Sequence, residues 1–114
     1  MKTQKKLSCA LVLLSGLLLT GCPEQVTIAK INQDPGRYAN REVAVHGKVV
    51  DSFGLFQTGV YQLDDGTGRL WVYSDRYGVP GAGADVRVAG TIVPTLTVSG
   101  RSFTNILRES ERRR

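Results

Sequence analysis

Side chains that bind metals or carry redox chemistry are scarce in this chain: of 114 residues two are cysteines, Cys9 and Cys22, and one is a histidine, His46. Two cysteines exclude a disulfide-stapled scaffold, and a lone histidine with no cysteine or carboxylate at ligand spacing points to no zinc site. No metal and no cofactor is expected. Groups for acid–base or nucleophilic work are equally thin. Asp64 and Asp65 are neighbours, so on a strand they point to opposite faces and cannot act as a carboxylate pair. Ser52, Ser74, Ser99, Ser102 and Ser110 lack a nucleophile-elbow context. Gly81-Ala82-Gly83 is followed by Val86 where the dinucleotide fingerprint needs a third glycine. These absences argue against an enzyme.

The chain also lacks an apolar run long enough to cross a bilayer. Leu7 to Leu19 is interrupted by Ser8, Ser15 and Gly16 and falls short of the ~20 residues a spanning helix needs. It follows Lys2, Lys5 and Lys6, which is the layout of a signal peptide. Its end, Leu19-Thr20-Gly21-Cys22, resembles the lipobox of bacterial lipoproteins. That resemblance implies cleavage before Cys22 and attachment of acyl chains, palmitate among them, to Cys22. Cys9 would leave with residues 1–21, so Cys22 would be the one thiol that remains, and lipidation accounts for it. A membrane is thus an expected partner, through lipid on Cys22, and the cell envelope the expected location. Pro23, in place of the aspartate that retains some lipoproteins in the inner membrane, favours the outer membrane, facing the periplasm.

A formal charge of +5, from 15 basic and 10 acidic residues, suggests a nucleic-acid protein until the charges are located. Lys2, Lys5 and Lys6 lie in the signal segment and Arg112, Arg113 and Arg114 at the C-terminus. Between 22 and 111 nine basic residues face ten acidic ones, formally −1. A groove that tracks phosphates needs a basic stripe on the domain itself.

What is present is strand periodicity. Tyr61 to Ser74 reads as a hairpin whose connection, Asp65-Gly66-Thr67-Gly68, can supply the positive φ a tight turn requires. Alternation puts Tyr61, Leu63, Leu70 and Val72 on a core face and Gln62, Arg69, Trp71 and Tyr73 on the other. Upstream, residues 22–26 are expected to be a lipidated tether. Thr27 is expected to cap a short helix over Ile28–Gln33 that Asp34-Pro35-Gly36 ends, with Ile28, Ile31 and Tyr38 plugging the base of a sheet. Glu42 to Phe53 reads as a strand with Val43, Val45, Gly47 and Val49 on one face and Ala44, His46, Lys48 and Val50 on the other. Asp85 to Val93 reads as another, with Val86, Val88, Gly90 and Ile92 alternating against Arg87, Ala89 and Thr91 and Pro94 ending it. Thr95 to Arg101 is expected to be a loop or hairpin end. Ser102 to Glu109 completes five strands, with Phe103 and Leu107 on one face and Thr104 and Ile106 on the other, and residues 110–114 are expected to be a disordered basic tail.

At Val43-x-Val45-x-Gly47-x-Val49, at the Tyr61–Val72 hairpin and at Gly83-x-Asp85-Val86-x-Val88-x-Gly90 the chain resembles OB-fold domains of the tRNA-anticodon and nucleic-acid-binding type, over about residues 26–109, with the domain itself expected at 27–109. The resemblance implies an all-β, five-stranded Greek-key barrel with a short N-terminal helix. It departs from many members in having no room for a helix between the third and fourth strands. It also implies a ligand surface on the outer face of the second and third strands, which here carries Arg69, Trp71 and Tyr73 and is bordered by Phe53 and Phe56 in the loop between the first two strands. The equally available alternative is that Trp71 and Tyr73 simply cover the outside of the barrel, packing on the N-terminal helix, and that the phenylalanines are plain lids. The expected function is a noncatalytic, membrane-anchored binding module for an envelope protein, glycan or peptide, with single-stranded nucleic acid as the alternative ligand. Haem transfer, known for another membrane-tethered OB fold, needs a histidine followed four residues later by tyrosine; His46 is followed there by Val50.

Overall fold

The structure is a computed structural model that describes residues 23–55 and 57–113. Cys22 and Phe56, and with them the signal segment, lie outside the described residues. The elements are β1 (Glu24–Gln25), α1 (Ile28–Gln33), α2 (Pro35–Tyr38), β2 (Glu42–Leu55), β3 (Thr58–Asp64), β4 (Arg69–Ser74), β5 (Asp85–Val98) and β6 (Arg101–Arg113). Strands β2, β3, β4, β6 and β5 pair in that order, and β2 pairs with β5 to close the barrel. All pairings are antiparallel except β4 with β6 and the short β1 beside β2. This is the five-stranded OB-fold barrel with two short helices.

The alternation in the sequence is what fills the interior. Val43, Val45 and Val49 of β2, Tyr61 and Leu63 of β3, Leu70 and Val72 of β4, Val86, Val88 and Ile92 of β5 and Leu107 of β6 form one buried cluster with Val26, Ile28, Ile31 and Tyr38. Gly90 lies where β6 crosses closest: a Cβ there would run into the Arg108 carbonyl and the Leu107 side chain. The pairing of β5 with β6 shifts register at this point, as a bulge does where a strand must bend.

α1 is too short to stand alone, and the hairpin tip holds it. Its first three N–H groups, which have no partner inside a helix, all find oxygens. Ile28 N–H donates to Asp65 Oδ2 at 2.9 Å, Ala29 N–H to Thr67 Oγ1 at 3.1 Å and Lys30 N–H to the Thr27 cap at 3.4 Å. Asp65 Oδ1 meanwhile accepts from the backbone of Thr67 and Gly68. Gly66 supplies the left-handed residue of the turn, φ +88°. Burial works against the charged form of Asp65, but the donors from Ile28, Thr67 and Gly68 outweigh it and hold the carboxyl below the usual aspartate range.

Four expectations change. The segment 22–26 is not a free tether over its described part, because Glu24 and Gln25 pair with Val43 and Ala44, Val26 N–H donates to the Ala44 carbonyl and the Val26 side chain is buried. Asp34-Pro35-Gly36 ends α1 but starts a second turn, α2, with Pro35 in the first-turn position that tolerates it. Pro94 does not end β5; the register carries on past it from Val93↔Ile106 to Thr95↔Thr104, and the hairpin turns only at Ser99 and Gly100, both of positive φ. The 110–114 tail is strand through Arg113, because Arg112 turns inward onto Glu109.

Asn105, opposite Pro94, has φ +52°. Across this pair the facing of both strands changes phase. Val93 and Ile106 share an outer face with Leu96, Val98 and Phe103, although strict alternation would separate them. The expected grouping of Phe103 with Leu107 is therefore wrong. Phe103 packs with Ile106 outside the barrel, and Leu107 is in the core.

Candidate binding site

Beyond the phase change, β5 and β6 run on as a two-stranded ribbon that leans over the outer face of β3 and β4. A second apolar cluster forms under it: Val60, Phe103 and Ile106 are buried, and Trp71, Tyr73, Val93, Leu96 and Val98 pack against them. Trp71 and Tyr73 are therefore half-buried beneath the ribbon, not beneath the N-terminal helix. Cross-strand pairing sets Trp71 beside Gln62 and Tyr73 beside Val60.

At the edge of this cluster three rings converge. Trp71 meets Phe103 at a centroid distance of 5.3 Å and Phe53 edge-on at 5.9 Å. Phe53 stays 38% exposed. The Arg101 guanidinium lies over all three, 5.5 Å from Phe53, 5.5 Å from Trp71 and 5.2 Å from Phe103. Arg101 is exposed, and among the described residues no carboxylate pairs with it. A guanidinium held by cation–π attraction and without a carboxylate partner keeps N–H donors for a ligand. Beside it an open groove of about 410 Å³ is lined by Phe53, Gly54, Thr58, Gly59, Val98 and Ser99. This is the space between the β2–β3 and β5–β6 connections.

The structure thus brings Phe53 and Trp71 together and places Tyr73 along the same face. Arg69 is on that face but engaged, its Nε donating to Asp64 Oδ2 at 3.2 Å. Arg101 and Phe103 were not singled out in the sequence. Their signal was there, an arginine beside the Ser99-Gly100 turn and an aromatic two residues on, but only the hairpin's lean brings them to Trp71.

A second cluster, also missed, is closed. Glu109 is buried with its side chain 1% exposed, and it accepts from the Tyr61 hydroxyl, from Ser74 Oγ at 3.0 Å and from Arg112 Nε at 2.9 Å and Nη2 at 3.1 Å. Arg112 also donates to the Gly78 carbonyl and lies over the rings of Tyr61 and Tyr77. Burial, then the hydrogen bond and charge of Glu109, push the Tyr61 phenol far above its ordinary range, so it remains a neutral donor. Both carboxylate oxygens are already taken, each by one nitrogen of Arg112 and one hydroxyl, so the cluster leaves no acceptor for a ligand. The cluster seals one end of the barrel and ties the 75–84 loop to β6.

His46 pairs with Asp85 at 3.2 Å on the exposed side of the sheet. Among the described residues no three His, Cys, Asp or Glu side chains gather as a metal site, and no helix is long and apolar enough to cross a membrane.

The barrel and its outward site define an OB fold, and solved structures agree on that class. No family model matches the chain and no curated protein matches it. An aspartyl-tRNA synthetase from Leishmania major Friedlin is similar over 81% of this chain and 20% of its own, with 13% identity and a TM-score of 0.58. An OBody bound to hen egg-white lysozyme is similar over 67% of this chain and 82% of its own, with 18% identity and a TM-score of 0.51. A replication protein A heterotrimer bound to ssDNA matches 63% of this chain and 55% of that chain at 19% identity and a TM-score of 0.45. This chain therefore spans a fifth of the synthetase. Identities at this level speak to the fold alone.

Proposed function

We propose that this protein is a noncatalytic OB-fold binding module of the cell envelope, held to a membrane by acyl chains on Cys22. Its partner is a polypeptide that presents a carboxylate to Arg101 and an apolar side chain to the adjoining groove. One observation carries this reading: an exposed arginine without a carboxylate partner among the described residues, laid over Phe53, Trp71 and Phe103 at the mouth of an open groove. Aromatic and arginine anchors beside a pocket are the usual centres of protein recognition. The OBody of the same fold is bound to a protein, lysozyme. The anchor rests on the sequence Leu19-Thr20-Gly21-Cys22.

The test is a photoreactive amino acid in place of Thr58, which is exposed and lines the groove, in the full chain expressed in cells. A discrete protein adduct that disappears with Arg101→Ala supports the proposal. Loss of all Arg101-dependent adducts to protein, together with salt-dependent binding of a fluorescent oligothymidine that Phe53→Ala and Arg101→Ala weaken, would replace it by single-strand recognition, in which bases stack on such rings.

A further inference from the structure

The expected tether is largely absorbed into the fold, and this fixes how an anchored domain would stand. β1 begins at Glu24, paired with Val43, so only Pro23 separates Cys22 from the first strand residue. A chain reaches at most ~3.6 Å per residue, which leaves no length for the domain to tumble away from an acylated Cys22. Pro23 itself lines a groove of about 370 Å³ with Gln25, Ala44, Arg87, Glu111 and Arg113. Here the starts of β1 and β5 and the end of β6 meet, Arg87 being paired in register with Arg113. Arg112 is turned inward on Glu109 and Arg113 shares its charge with Glu111 at 3.2 Å, while Arg87 has no carboxylate partner among the described residues. The pole around Pro23 therefore offers Arg87 without a carboxylate partner among the described residues and Arg113 in a weak, solvent-exposed pair with Glu111. Phosphate headgroups complement that charge.

We infer that the domain sits directly on a bilayer through this pole, with Arg87 and Arg113 at the lipid phosphates, and holds its binding site away from the membrane. β5 carries the geometry. Arg87 lies near the start of this strand and Val98, whose partner is Arg101, at its other end, so the pole and the site belong to opposite ends of β5. The Arg101–Trp71 site then faces the aqueous compartment. The inference rests on acylation of Cys22.

Depth-dependent quenching tests it, using the full acylated protein in phosphatidylglycerol vesicles that contain brominated phospholipids. Trp71 is the sole tryptophan, so its emission reports the site directly. The double variants Trp71→Phe/Arg87→Trp and Trp71→Phe/Arg113→Trp report the pole, and two reporter positions guard against one variant misfolding. Quenching several-fold stronger at 87 and 113 than at 71 is expected. Equal or stronger quenching at Trp71, in protein that floats with the vesicles, overturns the orientation while leaving the anchor intact. Protein that carries no fatty acid and does not float overturns the anchor and the orientation with it.

Discussion

Replacing Arg112 by alanine tests whether the C-terminal residues belong to the fold. In the native chain Glu109 is almost wholly buried and Arg112 has 13% of its side chain exposed, with two nitrogens on the carboxylate. Arg112→Ala leaves the Tyr61 and Ser74 hydroxyls on Glu109 but removes the compensating charge, the contact to Gly78 and the stacking between Tyr61 and Tyr77. Breaking a buried ion pair from one side costs about 3–5 kcal/mol. Arg112 is itself partly exposed, so water can enter the space it vacates, which places the cost near the lower figure, about 3 kcal/mol. In a domain of this size each kcal/mol lowers Tm by about 4–8 °C, so the variant should melt roughly 12–24 °C below wild type. Calorimetry on Arg112→Ala, Glu109→Gln and the double variant completes a cycle. The double variant should be more stable than Arg112→Ala alone, since a neutral amide leaves no buried charge. A loss below about 1 kcal/mol, the size of an exposed pair, with the two changes simply additive, would refute the argument and return residues 110–113 to a surface tail.

Gly90→Ala should cost about 3 kcal/mol or more, seen as a lower urea midpoint, because the new methyl meets the Arg108 backbone, which cannot swing aside. Asp65→Asn should cost about 1 kcal/mol at pH 7, because the amide keeps one acceptor oxygen but loses the other and the charge, leaving backbone N–H groups of α1 or the turn less well satisfied. Its sign with pH follows from a carboxyl lowered on folding: wild type keeps this contribution above the ordinary aspartate pKa and loses it as pH falls through the lower, folded value, so the two proteins' melting temperatures should converge in acid. Trp71 should emit between the buried and exposed limits with partial access to iodide, and Trp71→Ala should cost about 2 kcal/mol, less than a full core deletion; fully exposed emission would mean that the ribbon does not cover it.

Local sequence determined the barrel strands and what plugs them. A strand buried on one face must alternate, and Val43/Val45/Val49, Tyr61/Leu63, Leu70/Val72 and Val86/Val88/Ile92 do so and are all interior. The cap at Thr27 and the turn at Gly66 were legible because each depends on residues within a few positions of one another, and the burial of Ile28, Ile31 and Tyr38 because a helix this short has to dock on something. The outer face of β3 and β4 could be read as a row, Arg69, Trp71 and Tyr73, but not what lies on it. That depended on a phase change at Pro94 and Asn105, on opposite strands eleven residues apart in sequence, which alternation read on either strand alone cannot reveal. Arg101 likewise became part of a site only when the ribbon laid it, with Phe103 of its own strand, across rings from two other strands, Phe53 of β2 and Trp71 of β4. Arg112 shows the same division most plainly. In sequence it is one of three terminal arginines, a pattern that reads as solvated charge. Only tertiary structure buries the carboxylate of Glu109, three residues back, and sets the arginine between Tyr61 and Tyr77, and that carboxylate holds the arginine in the fold.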